Sequence, residues 1–294
     1  MNSWMKKINN NTLISCINLP GTHDSCTCCV QFPFISKCQN MTIKEQLNAG
    51  IRYLDIRVEK DGEKLKLVHD IADCKNPQKP KEKLYLDTVI NDCRTFLSKN
   101  PSETILLSFK RDDGVSAEEA FDVFFDNHLE NNPVWYTENR IPAIGEVRGK
   151  IVLINRDNID KTNEKYTDFN TGINLSNWVY QKENTERIYE SAELLGRDGT
   201  LTGKAFIIQD LYGLTPQKKW DLAVFPFVKN PPEAESIVIT FFSCSSPFYN
   251  PKRSAKFINK KLKNTTLRKA KKYGWIIMDY PTEKFIKKVV NSNF

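Results

Sequence analysis

The chain has 294 residues, of which 40% are hydrophobic and 27% charged, enough for a sizeable core and too apolar for a disordered chain. No run of about 18 apolar residues occurs, so no membrane-spanning helix is expected. The net charge of +7 is uneven, with +11 carried by residues 251–294 and −4 by the rest; the basic end fits either solvated helix faces or attraction to an anionic bilayer, worth roughly 1 kcal/mol per cation at the surface, and without a recognised reader motif nucleic acid is not expected as a partner.

In chain order, the first 25 residues lack the apolar core of a signal peptide, so either the protein has no leader or the leader is absent from this sequence. Residues 13–19 read as a first strand, ending in Leu19-Pro20-Gly21-Thr22-His23-Asp24. Five cysteines follow, Cys26, Cys28, Cys29, Cys38 and Cys74. Their C-x-C-C spacing is not that of a zinc site, and a disulfide among them is open if the protein is exported. Cys16 and Cys93 read as small buried hydrophobes. Thr42, with Glu45 three residues on and Gly50 at the far end, brackets a short helix. Residues 52–58 and 65–68 read as strands, the first carrying Asp55 and Arg57, the second ending at His69. Residues 86–99 place Leu86, Val89, Ile90, Cys93, Phe96 and Leu97 on one helical face. A strand at 104–110 ends in Lys110. Ser116 and Glu119 then open a helix, and His128 falls late in it as a surface or helix-end residue. Strands at 150–155, 205–209, 236–242 and 274–280 lead to Arg156, to Asp210 and Tyr212, and to Asp279; a helix opened by Pro251 precedes the last.

Eight strands with intervening helices predict an α/β fold, a (β/α)8 TIM-type barrel that is regular or incompletely closed, spanning 1–294 as one domain. Barrels of this kind carry their chemistry at the C-terminal strand ends. Two of the three histidines, His23 and His69, fall there together with Asp24, Asp55, Arg57 and Asp279.

The strings LPGTHDS, AGIRYLDIRV, LKLVHD, FLSKNPSETILLSFK, RGKIVLINR and GWIIMDY, in this order and spacing, resemble the phosphatidylinositol-specific phospholipase C X-domain family, in its bacterial, metal-independent form. The resemblance runs from Leu13 to Tyr280. It implies cleavage of phosphatidylinositol by attack of the inositol 2-hydroxyl on phosphorus, giving inositol 1,2-cyclic phosphate and diacylglycerol. His23 would be the general base, oriented by Asp279, and His69 the general acid, supported by Asp24. Asp55 would hold the network and Arg57 would contact the phosphate, while Lys110, Arg156, Asp210 and Tyr212 would line the inositol pocket, Tyr212 stacking on the ring. The residue types suit the chemistry: a poor alkoxide leaving group needs an acid, a secondary hydroxyl needs a base, and histidine titrates where one can be each.

No metal or other cofactor is expected. The calcium-dependent relatives ring the phosphate with oxygen ligands, whereas the matching positions here are Asp24, Asp55, Arg57 and Lys110, two of them cations, and calcium takes about six to eight oxygens. The partner implied is an inositol lipid, free, glycosylated or phosphorylated, met by a monomer in transient contact with a membrane surface from either side of it. Phe32 and Phe34 are candidates for that contact, as are Trp178 and Trp220, against the alternative that they pack; Trp275 reads as core. Two positions depart from the family pattern, Cys26 and Asp70, where glycine is usual. A glycerophosphodiester phosphodiesterase would instead show His-Arg-Gly and a Glu-x-Asp pair, and an inactive lipid-binding barrel would have lost the catalytic groups.

Overall fold

The computed structural model describes residues 1–112, 117–159, 162–182, 186–196, 198–233 and 236–294. Its frame is a run of parallel strands in sequence order: β1 (Leu19–Thr22), β2 (Tyr53–Asp61), β3 (Ile105–Arg111), β4 (Ile151–Asn155) and β5 (Ile173–Asn174) on one arm, with β6 (Leu201–Gln209), β7 (Ile237–Phe241) and β8 (Trp275–Met278) on the other. β8 pairs back onto β1, Leu19 opposite Trp275 and Thr22 opposite Met278. The ring stays open at one place: the two-residue β5 ends one arm and an antiparallel strand, Glu190–Leu195, flanks β6 on the other. The expected barrel is present in its incompletely closed form.

Alternation along the strands makes two cores. Leu19, Tyr53, Leu106, Val152, Ile154, Phe206, Ile208, Ile237, Ile239, Trp275 and Ile277 pack together as one buried cluster inside the barrel. Leu54, Ile56, Val58, Ile105, Leu107 and Phe109 face the other way, against α1 (Ile43–Ala49), α2 (Leu86–Lys99) and α3 (Ala117–Phe124). Val238, Ile276 and Met278 do the same against α4 (Pro251–Leu262) and α5 (Glu283–Asn291). Thr42 and Glu45 form the expected capping box of α1, and Gly50 closes it at φ +109°. Asn250 caps α4 just ahead of Pro251. The proposed cap at Ser116 lies outside the described residues.

Two expectations about strands change, and one about a cysteine. Residues 13–19 are not the first barrel strand: Ile14–Cys16 is a 3-10 turn under the barrel floor, where Ile14 O accepts from Trp275 Nε1 at 3.2 Å, and β1 begins at Leu19. Pro20 and Gly21 lie inside the strand. A Cβ on Gly21 would stand 2.6 Å from Ile277 Cδ1 and 2.9 Å from Tyr53 Cβ, so only glycine fits between β8 and β2. The strand at Lys64–His69 is no barrel strand either; it returns antiparallel along the long β2, Val58 opposite Leu67, and so carries His69 back to the barrel mouth. Cys16 is exposed rather than buried, while Cys93 is buried as expected, and no disulfide joins any of the eight cysteines in this structure.

Arg52 and Glu103 are fully buried near the chain start, Arg52 Nη2 lying 2.8 Å from Glu103 Oε2. The guanidinium also donates to Leu47 O, Ile51 O and Asn2 O and stacks 4.5 Å over Phe96. Burial pulls its pKa down to about 10 despite the carboxylate. Removing one partner strands a buried charge, so Glu103→Ala is expected to cost about 3–5 kcal/mol of folding free energy in urea denaturation.

Candidate active site

The mouth of the barrel is a cleft of about 310 Å³ lined by His23, Asp24, Arg57, His69, Lys110, Asp112, Arg156, Asp210, Tyr212 and Asp279, among others. That is the size of pocket that takes a small polar ligand. Every residue proposed from the sequence for the site lines this cleft except Asp55, which lies directly beneath it, fully buried.

β1 and β8 supply the first histidine. His23 continues β1, its N–H donating to Met278 O at 3.0 Å. Asp279 follows β8, and its Oδ1 lies 2.8 Å from His23 Nδ1. Asp24 turns into the left-handed region at φ 42°, which swings its carboxylate beneath both rings. Asp24 Oδ2 lies 3.1 Å from His23 Nε2 and 3.3 Å from His69 Nε2. His69 is braced from behind, its Nδ1 standing 2.6 Å from Ser36 O. The two rings face each other nearly perpendicular, with centroids 6.2 Å apart.

Asp55 and Arg57 sit two apart on β2 and share its inner face. Arg57 is held by three carboxylates at 3.2 Å each: Asp24 through Nε, Asp55 through Nη2 and Asp112 through Nη1. A guanidinium has five N–H donors, so at least two remain for a ligand. Lys110, opposite Arg57 in the β2–β3 register, reaches the same Asp112 at 3.3 Å. Arg156 spans Asp55 Oδ1 at 3.4 Å and the face of Trp178 at 3.7 Å, and Trp178 Nε1 points to Asp210 Oδ2 at 3.3 Å.

The charges set the protonation pattern. Burial works against a charge on His23, but Asp24 and then Asp279 outweigh it and raise the imidazole to about 9. Burial raises Asp279, partly countered by His23. Burial also acts on Asp55 and Asp112, yet the surrounding cations prevail: Arg57 and Arg156 hold Asp55 well below the carboxylate range, and Arg57 and Lys110 bring Asp112 to about 2.

Asp70 is exposed and lines the cleft; it adopts φ 53°, a conformation glycine takes without strain, and its N–H donates to Asp112 Oδ2 at 2.6 Å. Cys26 is buried. His128 lies in a π-helical turn after α3, half-buried beside Phe124 and 3.8 Å from Asp87, is not among the residues lining the cleft, and has its pKa lowered by burial. Phe32 and Phe34 are 57% and 68% exposed, whereas Trp178, Trp220 and Trp275 are buried. The two candidate membrane tryptophans are therefore packing residues, Trp178 under Arg156 and Trp220 beside Phe225. Among the described residues no helix is long and apolar enough to cross a membrane.

The sequence reading missed Asp112, which joins Arg57 to Lys110. Its signal was present, two residues beyond Lys110 on the same strand face. It also missed Gln39, whose Nε2 donates to His23 O at 2.6 Å and Met278 O at 2.9 Å and so fixes the His23 backbone; a glutamine in a loop gives no such signal.

Calcium does not fit this cleft. Of Asp24, Asp55, Arg57 and Lys110, only Asp24 and Asp55 offer carboxylates, and both already bind Arg57, whose charge would oppose the ion.

Residues 18–157 match the family model described as phosphatidylinositol-specific phospholipase C, X domain. Over 308 aligned residues the chain is 25% identical to the 1-phosphatidylinositol phosphodiesterase of Listeria monocytogenes, covering 99% of this chain and 84% of that protein. It is 26% identical to the enzyme of that name from Staphylococcus aureus strain Newman, over 95% of this chain and 88% of that one. Among solved structures, a phosphatidylinositol-specific phospholipase C from Staphylococcus aureus superposes with a TM-score of 0.76 at 24% identity, covering 100% of this chain and 97% of that chain. The Listeria monocytogenes enzyme gives 0.70 at 22%, covering 100% and 98%. At these identities the superpositions establish the shared barrel.

Proposed function

We propose that the chain, whose residues 18–157 match the family model of the phosphatidylinositol-specific phospholipase C X domain, is a phosphatidylinositol phosphodiesterase working without a metal, as one catalytic domain and as a monomer. The observation that carries this reading is the pair of imidazoles 6.2 Å apart over one carboxylate, with a guanidinium on that carboxylate's other oxygen.

The inositol 2-hydroxyl loses its proton to His23 Nε2 and its oxygen bonds to the neighbouring phosphorus. The bond from phosphorus to the glycerol oxygen breaks as His69 protonates the leaving diacylglycerol. Asp24 touches both Nε2 atoms, so the 2-hydroxyl must replace it at His23. Asp279 holds the opposite nitrogen and keeps the ring aimed. Arg57 offers its remaining N–H groups to the non-bridging oxygens, where negative charge gathers in the transition state. Lys110, Arg156, Asp210 and Tyr212 line the inositol side of the cleft.

A base must present an unprotonated nitrogen, so kcat/KM rises with pH as His23 loses its proton. The groups facing His23 are Asp24, Asp279, Arg57, His69, the Cys38 thiol and the ring of Phe241. Asp24 is the largest of the influences that raise its pKa. Asp24→Asn removes that influence and lowers the His23 pKa, so the acid limb of the kcat/KM profile moves to lower pH while the plateau falls. A limb that stays in place would assign it to another group.

Phe32, Phe34 and Phe248 are exposed beside the mouth, whose lining includes Ile35 and Pro251. This apolar lip suits shallow insertion into a bilayer, bringing the cleft to the head group. The function is tested by incubating the protein with phosphatidylinositol vesicles in EDTA. Diacylglycerol and a cyclic inositol phosphate are expected, at a rate calcium does not raise. Glycerol phosphate as the product would overturn the substrate assignment, and loss of turnover in EDTA with recovery on calcium would overturn the metal-free mechanism.

A further inference from the structure

Cys38 lies against the two histidines and has no part in the reaction above. It is fully buried, its Sγ 3.9 Å from Asp24 Oδ2 and 3.9 Å from His69 Nδ1. Its place is fixed: its N–H donates to Thr27 Oγ1 at 3.0 Å, and its carbonyl accepts from Tyr280 N at 2.9 Å. His23 Nε2 stands 3.1 Å from the same Asp24 oxygen. One ligand atom from each of His23, Asp24 and Cys38 falls within 4.8 Å of the other two.

We propose that this cluster binds a thiophilic divalent cation, zinc or cadmium, through His23, Asp24 and Cys38, and that the bound ion switches the enzyme off. Imidazole, carboxylate and thiolate are the ligands zinc selects, at about 2.0–2.3 Å, and three such bonds in a tetrahedron put the ligand atoms about 3.3–3.7 Å apart. The observed spread closes to that by side-chain shifts of about an ångström. A fourth position stays open to water.

Charge balance explains why the cleft that opposes calcium accepts this ion. The sulfur–hydrogen bond of Cys38 and the Nε2–hydrogen bond of His23 break as the metal bonds form. Two protons leave to solvent as two positive charges enter, and the site's net charge is unchanged. Calcium prefers oxygen ligands and gains nothing from the imidazole or the thiol. With the ion bound, the Nε2 lone pair of His23 is engaged and cannot take the 2-hydroxyl proton.

The inhibition arm rests on the proposed phospholipase activity; the binding arm does not. Reduced full-length protein in a non-chelating buffer is titrated with cadmium, following thiolate-to-cadmium charge-transfer absorption in the ultraviolet, and separately with zinc, following heat and phosphatidylinositol cleavage. The expected result is one tight equivalent per chain, loss of cleavage in step with occupancy, and full recovery in EDTA. Cys38→Ser retains cleavage, loses one thiolate's share of the cadmium absorption, and raises the zinc needed for half-inhibition by more than the about 10–100-fold that loss of an outer-shell partner costs; Cys38→Ala serves if the serine variant does not fold. Unchanged zinc sensitivity together with unchanged cadmium absorption in the variant overturns the site. If the protein cleaves no phosphatidylinositol at all, the absorption and heat measurements still decide whether the metal binds at Cys38, so failure of the functional reading is distinguished from failure of this one.

Discussion

Replacing His23 or His69 with alanine is expected to lower kcat/KM on phosphatidylinositol by about 10³-fold or more, because each proton-transfer partner is commonly worth about 10²–10⁴. The geometry makes the two losses interdependent. Both Nε2 atoms meet one oxygen of Asp24, at 3.1 and 3.3 Å, so removing either ring releases the carboxylate that positions the other. The double variant should therefore fall little below the worse single one. Neither substitution should unfold the barrel, since both rings are at the mouth rather than in the cores. Steady-state kinetics alongside thermal melts checks this. Two losses that multiply would mean the histidines act in separate steps without a shared support, and variants as active as the parent would reduce the protein to a lipid-binding barrel.

Arg57→Ala is expected to cost about 10²–10³ in kcat, the scale seen when one transition-state donor is removed, with a smaller change in KM. Its guanidinium neutralises Asp24, Asp55 and Asp112 at once, so the variant should also be less stable, and more so at neutral than at acid pH. The sign follows from those carboxyls: Arg57 holds Asp55 and Asp112 below their ordinary values, which stabilises the fold above the unfolded carboxyl range and is lost as pH falls through the folded values. Arg57→Lys keeps a charge but not the planar fork, so it should recover stability better than kcat. Equal recovery of both would make Arg57 a structural cation only.

The site was legible in the sequence because its chemistry is local. His23 and Asp24 are adjacent, Asp55 and Arg57 share a strand face, and Asp279 directly follows the apolar run of β8, so each was placed by a strand end. Asp112 escaped because a carboxylate after two cations looks like ordinary surface charge until the register sets it beside Arg57. The barrel was legible from its apolar runs, but two of its strands were not. β1 holds Pro20 and Gly21, residues that normally mark a turn, and here the glycine is required by the closeness of Ile277 and Tyr53. β5 is two residues long and carries no periodicity. The hairpin strand ending at His69 took its place in the count, because alternation does not reveal whether a strand runs parallel to its neighbour or folds back along it. Trp178 looked available for a membrane and is instead covered by Arg156, a pairing between residues 22 apart that spacing does not foretell.

A phosphorus NMR time course on phosphatidylinositol vesicles, run in chelator, puts the central claim to its most direct test. If the substrate's own hydroxyl is the nucleophile, the first new resonance belongs to a five-membered cyclic phosphodiester, with any phosphomonoester growing only afterwards. A monoester that accumulates from the start with no cyclic precursor would mean that water attacks the phosphorus, and the two-histidine mechanism at this cleft would be wrong.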